Sequence, residues 1–276
     1  MTDSTAVPCV LSGDLVADES DDFDRRFGGL ARLYGAKGAT RIQRSHAVVV
    51  GIGGVGSWTA EAFARSGVSE MTLIDLDHIA PSNVNRQIHA TSETFGQAKV
   101  LAMRDRIAFI NPACKVHVID DFLSPENLGA SLDPLLARLG DGTTLAVVDA
   151  CDQVRAKVAL AAWARDNPVT FIAVGAAGGK RLAHRVDCAD IGLITHDPLV
   201  AQMRYQLRRH HGAARTGQMG VQAVFSRETV SKSMVAGSGA GDLNCHGYGS
   251  SVAVTATFGM VAAGEALAQL AAAPRD

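Results

Sequence analysis

An α/β fold built on a mostly parallel sheet is the architecture this sequence predicts, and three observations lead to it. Short β-branched runs alternate with stretches of helical period through residues 46–174. The first of these runs feeds directly into a glycine-rich turn, and acids stand at the ends of two later ones. Alternation at this spacing calls for βαβ units, in which ligands gather at the carboxyl ends of the strands.

The strand candidates are Ala47–Val50, Met71–Ile74, Val116–Ile119, Leu145–Val148 and Thr170–Val174. Between them lie helical stretches at Val55–Arg65, Ala98–Ile110, Glu126–Leu139 and Val154–Arg165. Asn111-Pro112 and Asn167-Pro168 end two of those helices, because proline cannot continue one. Residues 175–250 are glycine-rich and less regular, which predicts loops and an added, loop-rich or antiparallel extension. Ser251 to Gly264 is uncharged and apolar but shorter than the roughly 20 residues a bilayer span needs, so a final core helix is expected. The whole reads as a Rossmann-like, doubly wound fold over residues 25–276. Residues 25–175 would form a nucleotide-binding half and residues 176–276 a substrate-binding and dimerisation half.

Composition narrows the class. With 47% hydrophobic and 20% charged residues, the chain suits a globular domain and excludes collagen or wholesale disorder. Its net charge of −2 hides two features: seven acids and no Lys or Arg in residues 1–24, and nine Lys/Arg against four acids between Lys180 and Lys232. The first predicts a flexible acidic leader; the second is a basic C-terminal patch. Five cysteines stand singly with no C-x-x-C, which points to reduced thiols, a cytoplasmic setting and no four-cysteine zinc site. Peripheral contact of the last helix with a membrane stays open.

Chemistry enters with His46-Ala-Val-Val-Val-Gly51-Ile-Gly53-Gly54-Val-Gly56. Glycines at 51, 53, 54 and 56 let backbone N–H groups approach a phosphate at a helix N-terminus. Asp75, just past the next strand, is placed to take a ribose hydroxyl. These features alone leave NAD and ATP both open. Arg86, in Ser82-Asn83-Val84-Asn85-Arg86-Gln87, and Lys99 at the following helix favour ATP, since fixed cations stabilise a pyrophosphate leaving group. Asp149-Ala-Cys-Asp152 then supplies carboxylates at the sheet's carboxyl edge, where one can hold Mg²⁺ alongside waters and phosphate oxygens.

The ordered set G-x-G-G-x-G, D-x-D, S-N-x-N-R-Q, Lys99 and D-x-x-D resembles the ubiquitin-activating-like ATP-dependent adenylyltransferases over about Arg26 to Arg165. The resemblance implies Gly54 at the phosphates, Asp75 at the ribose, and Asn83, Arg86 and Lys99 along the phosphate chain, with Asn85 in the same motif. It assigns Mg²⁺ and ATP to Asp152. It further implies a homodimer in which an N-terminal arginine, Arg32 first and Arg26 second, completes the neighbouring subunit's site.

The segments Arg26-Phe-Gly-Gly-Leu-Ala-Arg32-Leu-Tyr-Gly, Val174-Gly-Ala-Ala-Gly-Gly179, Asp197-Pro-Leu-Val and Thr255-Ala-Thr-Phe-Gly259 are similar to one branch, the tRNA threonylcarbamoyladenosine dehydratases. That branch implies ATP-driven cyclisation of the threonylcarbamoyl group on tRNA, with tRNA and not DNA as partner. Segment 226–245 departs from the branch pattern. A monovalent cation at the glycine-rich loops and a sulfur-transfer partner are left open. The runner-up is adenylation of a ubiquitin-like sulfur carrier, although the paired C-x-x-C motifs common there are absent. A non-catalytic nucleotide-binding module is a third reading.

Arg204, Arg208 and Arg209 fall within about three helical turns of His210, His211 and Arg215 and are the candidate tRNA phosphate contacts, with Lys180, Arg181 and Arg185 adding charge. Cys245, next to His246, is a candidate nucleophilic thiol, with an incidental thiol as the simpler alternative. Cys151 reads as a packing residue, and Trp58 and Trp163 as core.

Overall fold

The computed structural model describes residues 19–140, 142–230 and 248–272. Two helices open the described chain, α1 (Glu19–Phe27) and α2 (Gly29–Gln43), the latter kinked at Gly35. Then follow β1 (His46–Val50), α3 (Gly56–Arg65), β2 (Glu70–Ile74), α4 (Lys99–Ile110), β3 (Lys115–Ile119), α5 (Leu128–Ala137), β4 (Leu145–Asp149), α6 (Val154–Arg165) and β5 (Thr170–Val174). β6 (Val186–Asp190), α7 (Pro198–His210), β7 (Gln222–Ser226) and α8 (Val252–Ala271) complete it.

The seven strands of the described residues join one sheet in the order β3-β2-β1-β4-β5-β7-β6. Every pairing is parallel except β6 with β7. Strand order reverses between β1 and β4, and the covering helices change face with it. Side chains alternate accordingly: Ala47 and Val49 point into a core with α2, α3, α4 and α8, while Val48 and Val50 join α5, α6 and α7. Both faces being covered explains why β1 and β4, apolar apart from His46 and Asp149 at their ends, are buried at every position.

One expectation needs correction. The leader expected through residue 24 is already helical from Glu19, and the Phe23 ring packs tilted against that of Phe27, centroids 4.8 Å apart; residues 1–18 lie outside the described residues. Residues 175–230 hold the antiparallel extension expected there. Their strands β6 and β7 extend the same sheet, and α7 begins at Asp197-Pro198, where the Asp197 carboxylate accepts the Val200 amide at 3.0 Å and proline fills the first turn.

The last helix runs on past Glu265 to Ala271 and is long and apolar enough to cross a membrane. Here its buried face lies on the sheet and on α3 instead. A Cβ at Gly259 would come within 2.5 Å of the Val55 carbonyl, so glycine is what lets the two helices approach.

Candidate active site

The carboxyl edge of the sheet, at the reversal between β1 and β4, is where an open α/β fold receives ligands. Gly51, the first residue past β1, donates its N–H to the Ile74 carbonyl at 2.8 Å and has φ +85°. A Cβ there would stand 2.9 Å from both the Ala150 carbonyl and the Cys151 amide. Conformation and space both demand glycine. A side chain at Gly56 would overlap the Gly51 carbonyl, Gly53 faces open space, and the Arg86 stem lies over Gly54. Helix α3 starts at Gly56, so the loop and the first turn of α3 offer amides and a positive dipole end to an anion.

Asp75 is organised by this loop. Its carboxylate accepts the Ile52 amide at 2.6 Å and the Asp77 amide at 2.8 Å. Burial pushes its carboxyl pKa up, opposed by the nearby Lys99 and by those two amides. Lys99 opens α4 with its side chain only 8% exposed, its Nζ 3.9 Å from Asp75 Oδ1 and 2.6 Å from Asp77 Oδ2. Asp77 is thus a site residue not singled out from the sequence, although it is the second acid of the D-x-D motif.

Arg86 extends over Gly54, donating from Nη1 to the Ser82 carbonyl at 2.8 Å and to Asn85 Oδ1 at 3.0 Å. Its own carbonyl accepts the Trp58 indole N–H at 2.9 Å. Trp58 is therefore half-buried support for the arginine and not plain core; Trp163, also half-buried, donates to Asp133 at 2.9 Å. Asn83 caps the short 3₁₀ turn Pro81–Asn83 by accepting the Ala80 amide at 2.9 Å. Asn85 is exposed and donates to the Ser250 carbonyl at 2.9 Å, tying this segment to the chain before α8.

The two acids of D-x-x-D have separate fates. Asp149 is fully buried against Lys157, whose Nζ lies 2.9 Å from Asp149 Oδ2. Burial works against the Lys157 charge, but the Asp149 carboxylate holds its pKa above the ordinary value. Cys151 packs between them as expected, and burial raises its thiol well above the usual range. Asp152 is exposed and has no partner among the described residues. No cluster of three or more His, Cys, Asp or Glu among the described residues could cage a metal. A cation at Asp152 would draw its other ligands from phosphate oxygens and water, the usual arrangement for Mg²⁺.

Compared with known proteins, residues 23–275 match the ThiF family. The chain belongs to the ThiF family. It is 40% identical over 265 residues to the tRNA threonylcarbamoyladenosine dehydratase of Escherichia coli (strain K12), covering 92% of this chain and 96% of the relative. Solved structures of E. coli tRNA N6-threonylcarbamoyladenosine dehydratase in complex with ATP and with AMP superpose with TM-scores of 0.79 and 0.80, each at 40% identity, covering 91% of this chain and 95% of theirs.

Elsewhere in this ThiF-family chain, Arg32 is exposed on α2 without a partner among the described residues, and Arg26 pairs with Asp22 at 2.6 Å. Neither is bonded to the carboxyl-edge residues. The basic segment divides. Arg204 differs from the expectation of a phosphate contact: it is half-buried and its Nη1 donates to the Ile191 and Ile194 carbonyls at 3.0 and 2.7 Å. Arg208 donates to the Ala214 carbonyl at 3.0 Å, and the exposed Arg209 to the Tyr205 hydroxyl at 2.8 Å. Lys180 is likewise not surface charge. It is buried 3.6 Å from Asp197, which also accepts the Ala176 amide at 2.9 Å. The motifs at 174–179 and 197–200 therefore interlock: a Cβ at Gly175 would strike the Asp197 carboxylate. Cys245 lies outside the described residues.

Proposed function

We propose that this chain is an ATP-dependent tRNA threonylcarbamoyladenosine dehydratase that cyclises its substrate by adenylylating the threonyl carboxylate. The observation that carries the reading is the gathering of Gly51, Gly54, Asp75, Arg86 and Lys99 at the β1/β4 reversal. It stands in a chain 40% identical to a relative of that name, whose structures hold ATP and AMP.

A carboxylate oxygen is a poor leaving group, so loss of water needs activation. Attack of the threonyl carboxylate on the α-phosphate gives an acyl adenylate and pyrophosphate. The carbamoyl oxygen of the same substrate then closes the ring and expels AMP. Because that nucleophile is intramolecular, no protein nucleophile is needed. Asp75 holds the ribose, the glycine loop and the α3 amides hold phosphate oxygens, and Arg86 and Lys99 offset charge that grows on the departing pyrophosphate. Asp152 would hold Mg²⁺, which supplies further neutralisation of the phosphates when bound.

The remaining roles complete the proposal. Arg208 and Arg209 contact tRNA phosphates, and Arg32 completes the neighbouring subunit's site in a cytoplasmic homodimer. Pyrophosphate release that depends on threonylcarbamoyl-modified tRNA supports this reading. Equal release without tRNA, or release driven by a protein with a Gly-Gly terminus, contradicts it.

A further inference from the structure

Lys157 is a fully buried cation that the chemistry above leaves without a task. Its Nζ lies 2.9 Å from Asp149 Oδ2 and donates to the carbonyls of Asp149 at 3.2 Å and Cys151 at 3.0 Å. All three acceptors belong to one turn, the turn that delivers Asp152. Asp149 Oδ1 fastens the same turn from within, accepting the Cys151 amide at 3.2 Å and its thiol at 3.0 Å. On its other side the turn meets the phosphate loop: Ala150 donates to the Val50 carbonyl at 2.8 Å, and a Cβ on Gly51 would touch Ala150 and Cys151 at 2.9 Å. The turn is wedged between Gly51 and an ammonium.

A buried ion pair is a weak way to stabilise a fold, since apolar residues of similar volume often do as well. What this one adds is direction. The Lys157 ammonium hydrogen-bonds two backbone carbonyls and holds the Asp149 carboxylate beside it by charge, in fixed relation. With Asp149 so engaged, Asp152 is the acid left without a protein partner, one residue beyond a rigid support.

We propose that Lys157 is a positioning residue for the triphosphate end of the nucleotide site. It sets the Asp149–Asp152 turn against the glycine loop, so that Asp152 meets a phosphate-bound cation at the correct height. Lys157 itself touches neither nucleotide nor cation. The inference rests on the ATP reading above, and its test separates the two.

Lys157→Met alone strands the Asp149 charge in the core and is expected to destabilise the chain. The informative variant is the double Asp149→Asn/Lys157→Gln, which removes both charges and keeps hydrogen-bonding groups. Full-length protein is titrated calorimetrically with ATP in Mg²⁺, with ATP in chelator and with AMP, and Tm is recorded beside it. The double variant is expected to lose about tenfold to hundredfold in ATP affinity in Mg²⁺, the scale for disturbing a ligand's outer support. Its Mg²⁺-to-chelator difference should shrink while AMP affinity is unchanged, because Asp75 and the adenosine end do not touch this turn. A variant that retains the wild-type Mg²⁺ dependence, or that loses AMP and ATP affinity equally, overturns the proposal. Wild-type protein that takes up no ATP removes the nucleotide reading itself, and the proposal with it.

Discussion

Lys99 lies 3.9 Å from Asp75 yet makes its hydrogen bond to Asp77, 2.6 Å away. One ammonium therefore serves both acids of the D-x-D motif, one facing the glycine loop and the other 59% exposed. On the proposed ATP reading, a phosphate oxygen would meet an ammonium that is already largely buried and held beside Asp77. Lys99→Ala and Arg86→Ala are each expected to lower kcat for pyrophosphate release by at least about 100-fold, the scale of losing a transition-state charge donor. Activity within a few-fold of wild type would remove both from the chemistry.

Gly51→Ala forces a left-handed conformation, at φ +85°, onto a residue with a side chain, 2.9 Å from Ala150 and Cys151. It is expected to destabilise the fold by about 1–2 kcal/mol from the backbone alone, with loss of ATP binding. Denaturant unfolding and a nucleotide titration check both effects. Gly53→Ala, where a Cβ meets nothing within 4 Å, is the matched control for stability.

The arginines of the basic segment should separate by assay. Arg208→Glu/Arg209→Glu is expected to weaken tRNA binding and flatten its salt dependence, with Tm nearly unchanged. Arg204→Ala orphans two carbonyls and is expected to cost about 1–3 kcal/mol in stability. Unchanged tRNA affinity in the first variant would move the tRNA surface elsewhere.

His46 and His89 both have pKa values lowered to about 4 from 6.5, chiefly by burial; Lys99 and Arg106 add to the effect at His89. Between pH 6.5 and about 4 the unfolded chain binds more protons than the folded one. The stability these neutral rings allow is complete above pH 6.5 and is lost as pH falls toward 4, on the order of 3 kcal/mol for each histidine. Neither ring nitrogen of His89 has a hydrogen-bond partner among the described residues. His89→Leu should accordingly be tolerated at pH 7.5 and should flatten the fall in urea midpoint between pH 7 and 5. An unchanged slope would contradict a buried neutral His89.

Much of the fold was legible because periodicity reports burial. The five parallel strands and the four helices between them fall within two residues of their expected ends, since both faces of the sheet are covered and the signal is continuous. The region after residue 175 was less legible. There β6 carries acids at Asp187 and Asp190, and the Asp190 carboxylate accepts hydrogen bonds of 2.7–2.8 Å from the amides of Gly192, Met219 and Gly220. No local pattern announces that. Within the site, the glycines and Asp75 follow from strand–turn–helix grammar. Asp77, Trp58 and Lys157 act through partners 22, 28 and eight residues away, and contact, not spacing, reveals them. Charge counting overstated the basic surface, because Lys180 and Arg204 are spent inside the molecule.

The most direct measurement is mass spectrometry of nucleosides from threonylcarbamoyl-modified tRNA incubated with the purified protein, ATP and Mg²⁺. A modified adenosine lighter by one water, formed with stoichiometric AMP and pyrophosphate and absent with Lys99→Ala, is the expected result. ATP consumed while the nucleoside keeps its mass would contradict the assignment.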